Sequence, residues 1–319
     1  MNETLSEEQS VGYQSLQLQQ PPAPALVRYG AFPLILTLTI GAAILLTQAD
    51  TAPPLVAGIV QLAAIALIFG AEWAWPYKPL WNRSHRDIST DLGHVLVSGG
   101  AMTQLAKPAV LALGVAIAGG AERAVGSTLW PTEWSLVAQL GLALVFAELP
   151  QYWLHRLQHE NDFLWRFHSV HHSAPRLYWL NAARFHPIDL FTLYVVGYLP
   201  LVVLGCPESV IALFAVFDAI FGMLQHSNID VRLGKLNLIF SMAEPHRWHH
   251  SLRLEEANTN YGSNLMLWDL VFGTLFLPKG RSGPDGIGIG AMPNFPRTWA
   301  AQLAAPFRWR RVVEESQPR

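Results

Sequence analysis

Eight histidines of this chain fall into three tight clusters: His155-Arg-Leu-Gln-His159, His168-Ser-Val-His171-His172 and His246-Arg-Trp-His249-His250. Imidazole is the commonest metal ligand among side chains. On a helix, positions three and four apart share a face, so each cluster can turn its rings toward one centre. A structural zinc takes four protein ligands and a catalytic zinc three, so eight or more nitrogens exceed one ion and fit two ions with about four or five each. Thiolate plays no part. Cys206, the only cysteine, sits in an apolar run and reads as a buried small hydrophobe. Ligand type alone leaves Fe, Zn, Cu and Ni open. Two adjacent redox metals would suit activation of O2 against an unreactive C–H bond.

Four more histidines and two other side chains bear on the site. His226, in Gln-His226-Ser-Asn, is a candidate ninth ligand. His186, in Arg184-Phe-His186-Pro187, is either a ligand or the residue that holds a turn. His85 and His94 flank apolar segments and suit a solvated or interfacial place. Glu148 and Tyr152 precede His155 by seven and three residues, on nearly the same helical face, and are the candidate catalytic side chains. A carboxylate at membrane depth is functional or paired. Glu148 would serve as a metal ligand or as an acceptor that fixes a histidine tautomer.

The elements that must position these groups are helices in a membrane. Hydrophobic residues make up 51% of the chain and charged residues 14%, against roughly 25% charged in a soluble domain. Residues 31–48 and 53–71 carry no charge. Each is long enough to cross a hydrocarbon core of about 30 Å, and a four-residue linker makes them a hairpin. A third apolar stretch, 94–121, is interrupted by Lys107-Pro108 and reads as one broken helix or two half-depth segments. A fourth begins at Trp134 and runs into His155. Residues 189–205 and 209–225 form a second hairpin, in which Pro200 and Asp218 weaken both arms as full spans. The expected fold is therefore all-α: an integral-membrane bundle of about four spans, with helical hairpins, under a histidine-rich di-metal cap. Residues 1–27 have the polar composition of a disordered tail, the membrane domain occupies 28–278, and 279–319 reads as a C-terminal tail whose glycines lack the context of a nucleotide loop. Lys and Arg gather at one set of helix ends, with Arg123 the exception. This predicts cytoplasmic termini and a cytoplasmic metal site. A net charge of -2 without a basic stripe gives no footprint for nucleic acid.

With these residues in view, the chain resembles the fatty acid hydroxylase / sterol desaturase superfamily of integral-membrane di-iron oxidases. The likeness rests on Tyr152-Trp-Leu-His155-Arg-Leu-Gln-His159-Glu, Trp165-Arg-Phe-His168-Ser-Val-His171-His172-Ser and Arg184-Phe-His186-Pro187. It continues through Gln225-His226-Ser-Asn228, Pro245-His246-Arg-Trp-His249-His250-Ser251, and Asn260-Tyr-Gly262 to Thr274, spanning roughly 55–277. The resemblance implies two iron ions held by the three histidine motifs, with His226 where relatives also carry a ligand. It implies O2 as co-substrate and hydroxylation or desaturation of a membrane lipid such as a sterol or fatty acyl chain. Electrons would come from a separate donor, cytochrome b5-like or a ferredoxin with its reductase. One position departs from the pattern: relatives often carry Asp where Glu148 stands. Two other readings compete. A metallohydrolase or ether-lipid-cleaving enzyme on the same scaffold is one; a hydrolase would need only metal-bound water. A metal transporter is the other, although transporters place ligands near the bilayer midplane.

Overall fold

The computed structural model describes residues 22–125 and 129–317. The expected N-terminal tail falls, up to residue 21, outside the described residues, as does the side chain of Arg123. Among the described residues there is no sheet, only isolated bridges such as that between Pro76 and Ile229.

Helices α1 (Ala25–Gln48) and α2 (Pro53–Ala74) form the first hairpin. Next, α3 (Ile88–Gly93) passes through a π-helical stretch (His94–Gly99) into α4 (Gly100–Val125). The expected interruption at Lys107-Pro108 is absent: the helix runs on through Pro108, and the irregular turn lies earlier. Proline is tolerated within membrane helices because neighbouring groups re-satisfy the freed carbonyl. After these come α5 (Leu136–Glu160), α6 (Asp162–His172), α7 (Pro187–Val203), α8 (Glu208–His226) and α9 (Ala243–His249). The short helices α10 (Leu254–Ala257), α11 (Leu267–Phe272), α12 (Trp299–Ala304) and α13 (Trp309–Ser316) complete the chain.

Among the described residues, four helices are long and apolar enough to cross a membrane: α1, α2, the continuous Ile88–Gly119 helix and α8. The count matches expectation, but the membership differs. Helix α5 is not among them, because its buried face carries Gln139, Glu148, Gln151, His155 and Gln158; α8 takes its place despite Asp218. Helix α8 is the inner element: 61% of its apolar window is buried, against 17–28% for the other three. The α1–α2 hairpin packs on α8, α4 lies along α7, and α5 packs on both α7 and α8. Large apolar side chains such as Leu62, Leu96 and Leu105 face outward. A surface of that kind belongs in hydrocarbon, where helices satisfy their own backbone groups.

The two inner ends are tied together. Tyr77 N–H donates to Asn228 O at 2.8 Å, and Asp230 N–H donates to Trp75 O at 3.0 Å, joining the exits of α2 and α8. The segment after Pro278 does not trail away as a tail. Gln302 is buried and donates to Ser173 Oγ at 3.1 Å, while Met292, Phe295, Ala305 and Val312 pack with Val170. Trp299 lies so close to Gly93 that a Cβ there would meet the indole at 2.7 Å.

Candidate metal centre

Single residues make the corners that aim the histidines. Asn161 ends α5 and caps α6, its Oδ1 accepting from Phe163 N and Leu164 N at 3.0 and 3.1 Å. A capping side chain satisfies donors the first helical turn leaves orphaned. This one-residue corner folds His168, His171 and His172 back against His155 and His159. Helix α8 delivers His226 at its last residue, and α9 delivers His246 and His249, with His250 as its C-cap.

Nine imidazoles converge in two groups. His155, His159, His168, His172 and His249 form one; His171, His226, His246 and His250 form the other. The Hx2HH spacing explains the partition. In α6, His168 and His172 are four apart and serve the first group, while His171 is turned by about 100° and serves the second. In α9 the pattern inverts: His246 and His250 join the second group and His249 the first. His172 and His250 stack at a centroid distance of 4.3 Å, so the groups adjoin.

Most of these rings are fixed through Nδ1. That atom faces Tyr261 O in His155 (2.7 Å), Asn258 Oδ1 in His159 (3.1 Å) and Asp189 Oδ2 in His168 (3.0 Å). It faces Arg184 O in His171 (3.3 Å), Asn181 Oδ1 in His226 (2.8 Å) and Thr259 O in His249 (2.8 Å). An oxygen at Nδ1 holds the proton there and leaves the Nε2 lone pair for a metal. Burial disfavours the charged ring, so His171, His172, His246, His249 and His250 titrate well below the usual histidine range. Neutral imidazole is the ligating form.

The Nε2 atoms lack ordinary partners. Those of His155, His168 and His249 are buried without a hydrogen bond among the described residues. In the second group, Nε2 of His226 lies 2.9 Å from that of His246, His246 lies 3.1 Å from His250, and His250 lies 3.1 Å from His171. His171 and His226 can only accept there. No placement of protons on the other two turns all three contacts into hydrogen bonds, whereas one cation would receive all four lone pairs. The donor sets therefore fit metal ions.

Other candidates fall elsewhere. His186 was a candidate ligand; instead its Nδ1 caps α7 by accepting from Ile188 N at 3.1 Å, and its Nε2 faces Leu303 O at 3.2 Å. Both ring nitrogens are engaged, Nδ1 as acceptor and Nε2 as donor, and the residue lies outside both groups. His85 is exposed as expected, but His94 is fully buried rather than interfacial, with its nitrogens 3.0 and 2.8 Å from Phe185 O and Gln302 Oε1. Glu148 and Tyr152 also lie outside both groups. Glu148 accepts from Asn264 N with both oxygens, at 2.9 and 3.0 Å. Tyr152 hydrogen-bonds Thr274 Oγ1 at 2.9 Å and stacks on Phe272. Both brace the 261–274 loop, whose Tyr261 carbonyl orients His155.

The outer partners Asp189, Asn181, Asn258 and Asp269 escaped the sequence reading. Asp269 accepts from Tyr261 N and Gly262 N at 2.8 Å and from Thr274 Oγ1 at 2.7 Å, which shapes that loop. Asp189 did leave a signal, a carboxylate in the first turn of an apolar helix, but its partner is 21 residues away in sequence.

Comparison with known proteins agrees with this geometry. The sequence profile described as Fatty acid hydroxylase matches residues 140–274, from the second turn of α5 to just past α11. The chain is 40% identical over 251 residues to an ornithine lipid hydroxylase, OlsE, of Rhizobium tropici, covering 78% of this chain and 75% of that protein. It is 31% identical over 188 residues to alkylglycerol monooxygenase of Danio rerio and 30% over 145 residues to that of Homo sapiens. These two alignments cover 58% and 46% of this chain but only 40% and 31% of those longer proteins. No solved structure matches significantly. The imidazole motifs, the apolar helices and the extent of these matches place the chain in the fatty acid hydroxylase family, as an integral-membrane lipid-hydroxylating oxidoreductase.

Proposed function

We propose that the two nitrogen groups hold two irons and that the protein uses O2 and two external electrons to place a hydroxyl group on a polar acyl lipid. The balance is R–H + O2 + 2 electrons + 2 H⁺ → R–OH + H2O. The observation that carries the reading is the partition of nine imidazoles, eight of them buried, into sets of five and four. Five nitrogens in one group exceed the four ligands of a structural zinc, which supports a metal with more positions, as iron offers. Bound iron would supply O2 activation.

The remaining work falls to the chain's own residues. His155, His159, His168, His172 and His249 would hold one ion, and His171, His226, His246 and His250 the other. Asp189, Asn181 and Asn258 keep the rings turned inward. Glu148 and Tyr152 act one step out, as positioning residues that brace the loop behind His155. The bundle excludes bulk water from the nitrogens. Basic residues near the same helix ends, Lys78, Arg156, Arg166 and Arg232 among them, support a cytoplasmic placement. Electrons would come from a separate carrier protein.

The match to an ornithine lipid hydroxylase over three quarters of that protein supports a lipid with an amino-acid-bearing polar head. The alkylglycerol monooxygenase matches support a second reading, hydroxylation of the carbon beside an ether oxygen, which would release an aldehyde. The test is purified protein given reductant, 18O2 and each lipid class. One 18O in the intact ornithine-type lipid is expected; labelled aldehyde from an ether lipid alone would favour the second reading. A protein that binds a single zinc, unaffected by His171→Ala, would refute the di-iron assignment.

A further inference from the structure

We propose that Trp165 is the point at which electrons from a one-electron carrier protein reach the metal centre. The inference rests on the redox reading above. Eight of the nine clustered imidazoles are buried; His159 alone is half-exposed. The group of five therefore comes nearest to solvent at His159, and the group of four is enclosed behind it.

Trp165 covers this edge. Its ring centroid lies 5.2 Å from that of His159 and 5.4 Å from that of His172, with tilted planes. His168 is a third neighbour at 6.3 Å. The indole thus packs on two imidazoles of one group, with a third nearby, while remaining half-buried itself. The other aromatic rings against these ligands are not so placed. Tyr261 packs on His155, His159 and His249 but is 1% exposed. Phe185 is half-buried too, but it stacks on His171 of the group of four, at 4.2 Å, and not on His159. Trp165 sits in the first half of α6, immediately past the Asn161 corner, so the fold fixes it relative to the two histidines it covers. Trp165 and Phe185 are both half-buried rings against these imidazoles, but of the two only Trp165 packs on His159, the one clustered imidazole that is itself not fully buried.

The reaction needs this route. Each hydroxylation consumes two electrons, and a carrier such as an iron–sulfur or haem protein delivers them one at a time, being oxidised as the metal group is reduced. Trp165 is not itself oxidised; it closes the gap that the electron must cross. A small reductant can approach the open edge of His159 directly, whereas a protein meets the indole beside it.

The test uses full-length, metal-loaded protein under anaerobic conditions without lipid, so that reduction is read directly from the ferric absorbance and not from turnover. Dithionite, reduced ferredoxin and reduced cytochrome b5 are the probes, and the protein donor faster on the wild type is carried forward. Dithionite bleaching of the wild type establishes the redox reading; its failure would refute that reading and not this one. With metal content matched to wild type, Trp165→Leu is expected to slow reduction by the protein donor about tenfold, equivalent to about 1.4 kcal/mol of barrier. Its dithionite rate should stay unchanged, and Trp165→Phe should recover most of the loss. Equal protein-driven rates in wild type and Trp165→Leu would overturn the proposal. So would equal slowing with both reductants, or reduction of the wild type by dithionite but by neither protein.

Discussion

Asp189 offers the sharpest test of how the centre is held. It is fully buried, and its two oxygens have separate tasks: Oδ2 faces His168 Nδ1 at 3.0 Å, and Oδ1 accepts from Gln158 Nε2. Asp189→Asn keeps the shape but replaces one acceptor by a donor. The amide oxygen can still accept from His168, and Gln158 can flip so that its otherwise unpartnered Oε1 accepts from the new NH2; what is lost is the carboxylate that raises the basicity of His168. Removing such an outer partner costs about 10–100-fold in metal affinity, or about 1.4–2.7 kcal/mol. The loss should fall on the group of five alone, because the second group has no contact with Asp189. Competition with a graded chelator, followed by metal analysis of the protein, should show one ion leaving about 10–100-fold earlier than in the wild type and the other unchanged. Parallel loss of both ions, or no shift in either, would refute the assignment of His168 and Asp189 to one of two separable sites.

Three further outcomes follow from the same geometry. His186→Ala should lower thermal stability by about 1 kcal/mol, the usual cost of a lost helix cap, and leave the metal content at two; loss of an ion would restore His186 as a ligand. Glu148→Gln keeps an acceptor for Asn264 N and should retain both metals, whereas a ligand carboxylate so replaced would release one; metal analysis decides. The metal-free protein should lose stability on acidification. Histidines in the unfolded chain titrate near the ordinary value of about 6.5, while burial holds His171, His172, His246, His249 and His250 well below it in the fold. Protonation thus favours the unfolded chain: stability is fully present above about pH 6.5 and falls below it, by up to ~1.4 kcal/mol per pH unit for each ring. Melting temperatures of chelator-treated protein between pH 8 and pH 5 would check this, and a flat profile would contradict it.

The sequence made the ligands legible because a metal demands one residue type at helical spacing. Nine of the ten ligand candidates meet in the two groups, and the exception, His186, has the His-Pro context of a helix cap as much as that of a ligand. The first hairpin was legible because its 18- and 19-residue uncharged runs allow no other use. What stayed hidden depends on distant pairing. Helix α5 read as a span by its continuity, but its polar residues find partners on other elements, Gln158 on Asp189 and Glu148 on Asn264, 31 and 116 residues away. The segment after Pro278 read as a tail by its glycines. Its anchorage needs Gln302 to meet Ser173 across 129 residues, which no local pattern announces.

The two groups are unequal, and the inequality follows from which elements supply them. Helix α5 gives both its histidines to the group of five, while α8 gives its single His226 to the group of four. The larger set lies toward α6 and the half-exposed His159, and the smaller lies among α8, α9 and the buried Arg184 carbonyl. An ion held by the smaller set would have one fewer protein nitrogen and thus more room for an exogenous oxygen. The smaller set is fully buried and lies beside the inner helix α8, which contributes most to the apolar core. If electrons arrive from one side and a lipid from the other, this inequality suits the proposed reaction: the group of five would sit at the His159 edge and the group of four beside the apolar core.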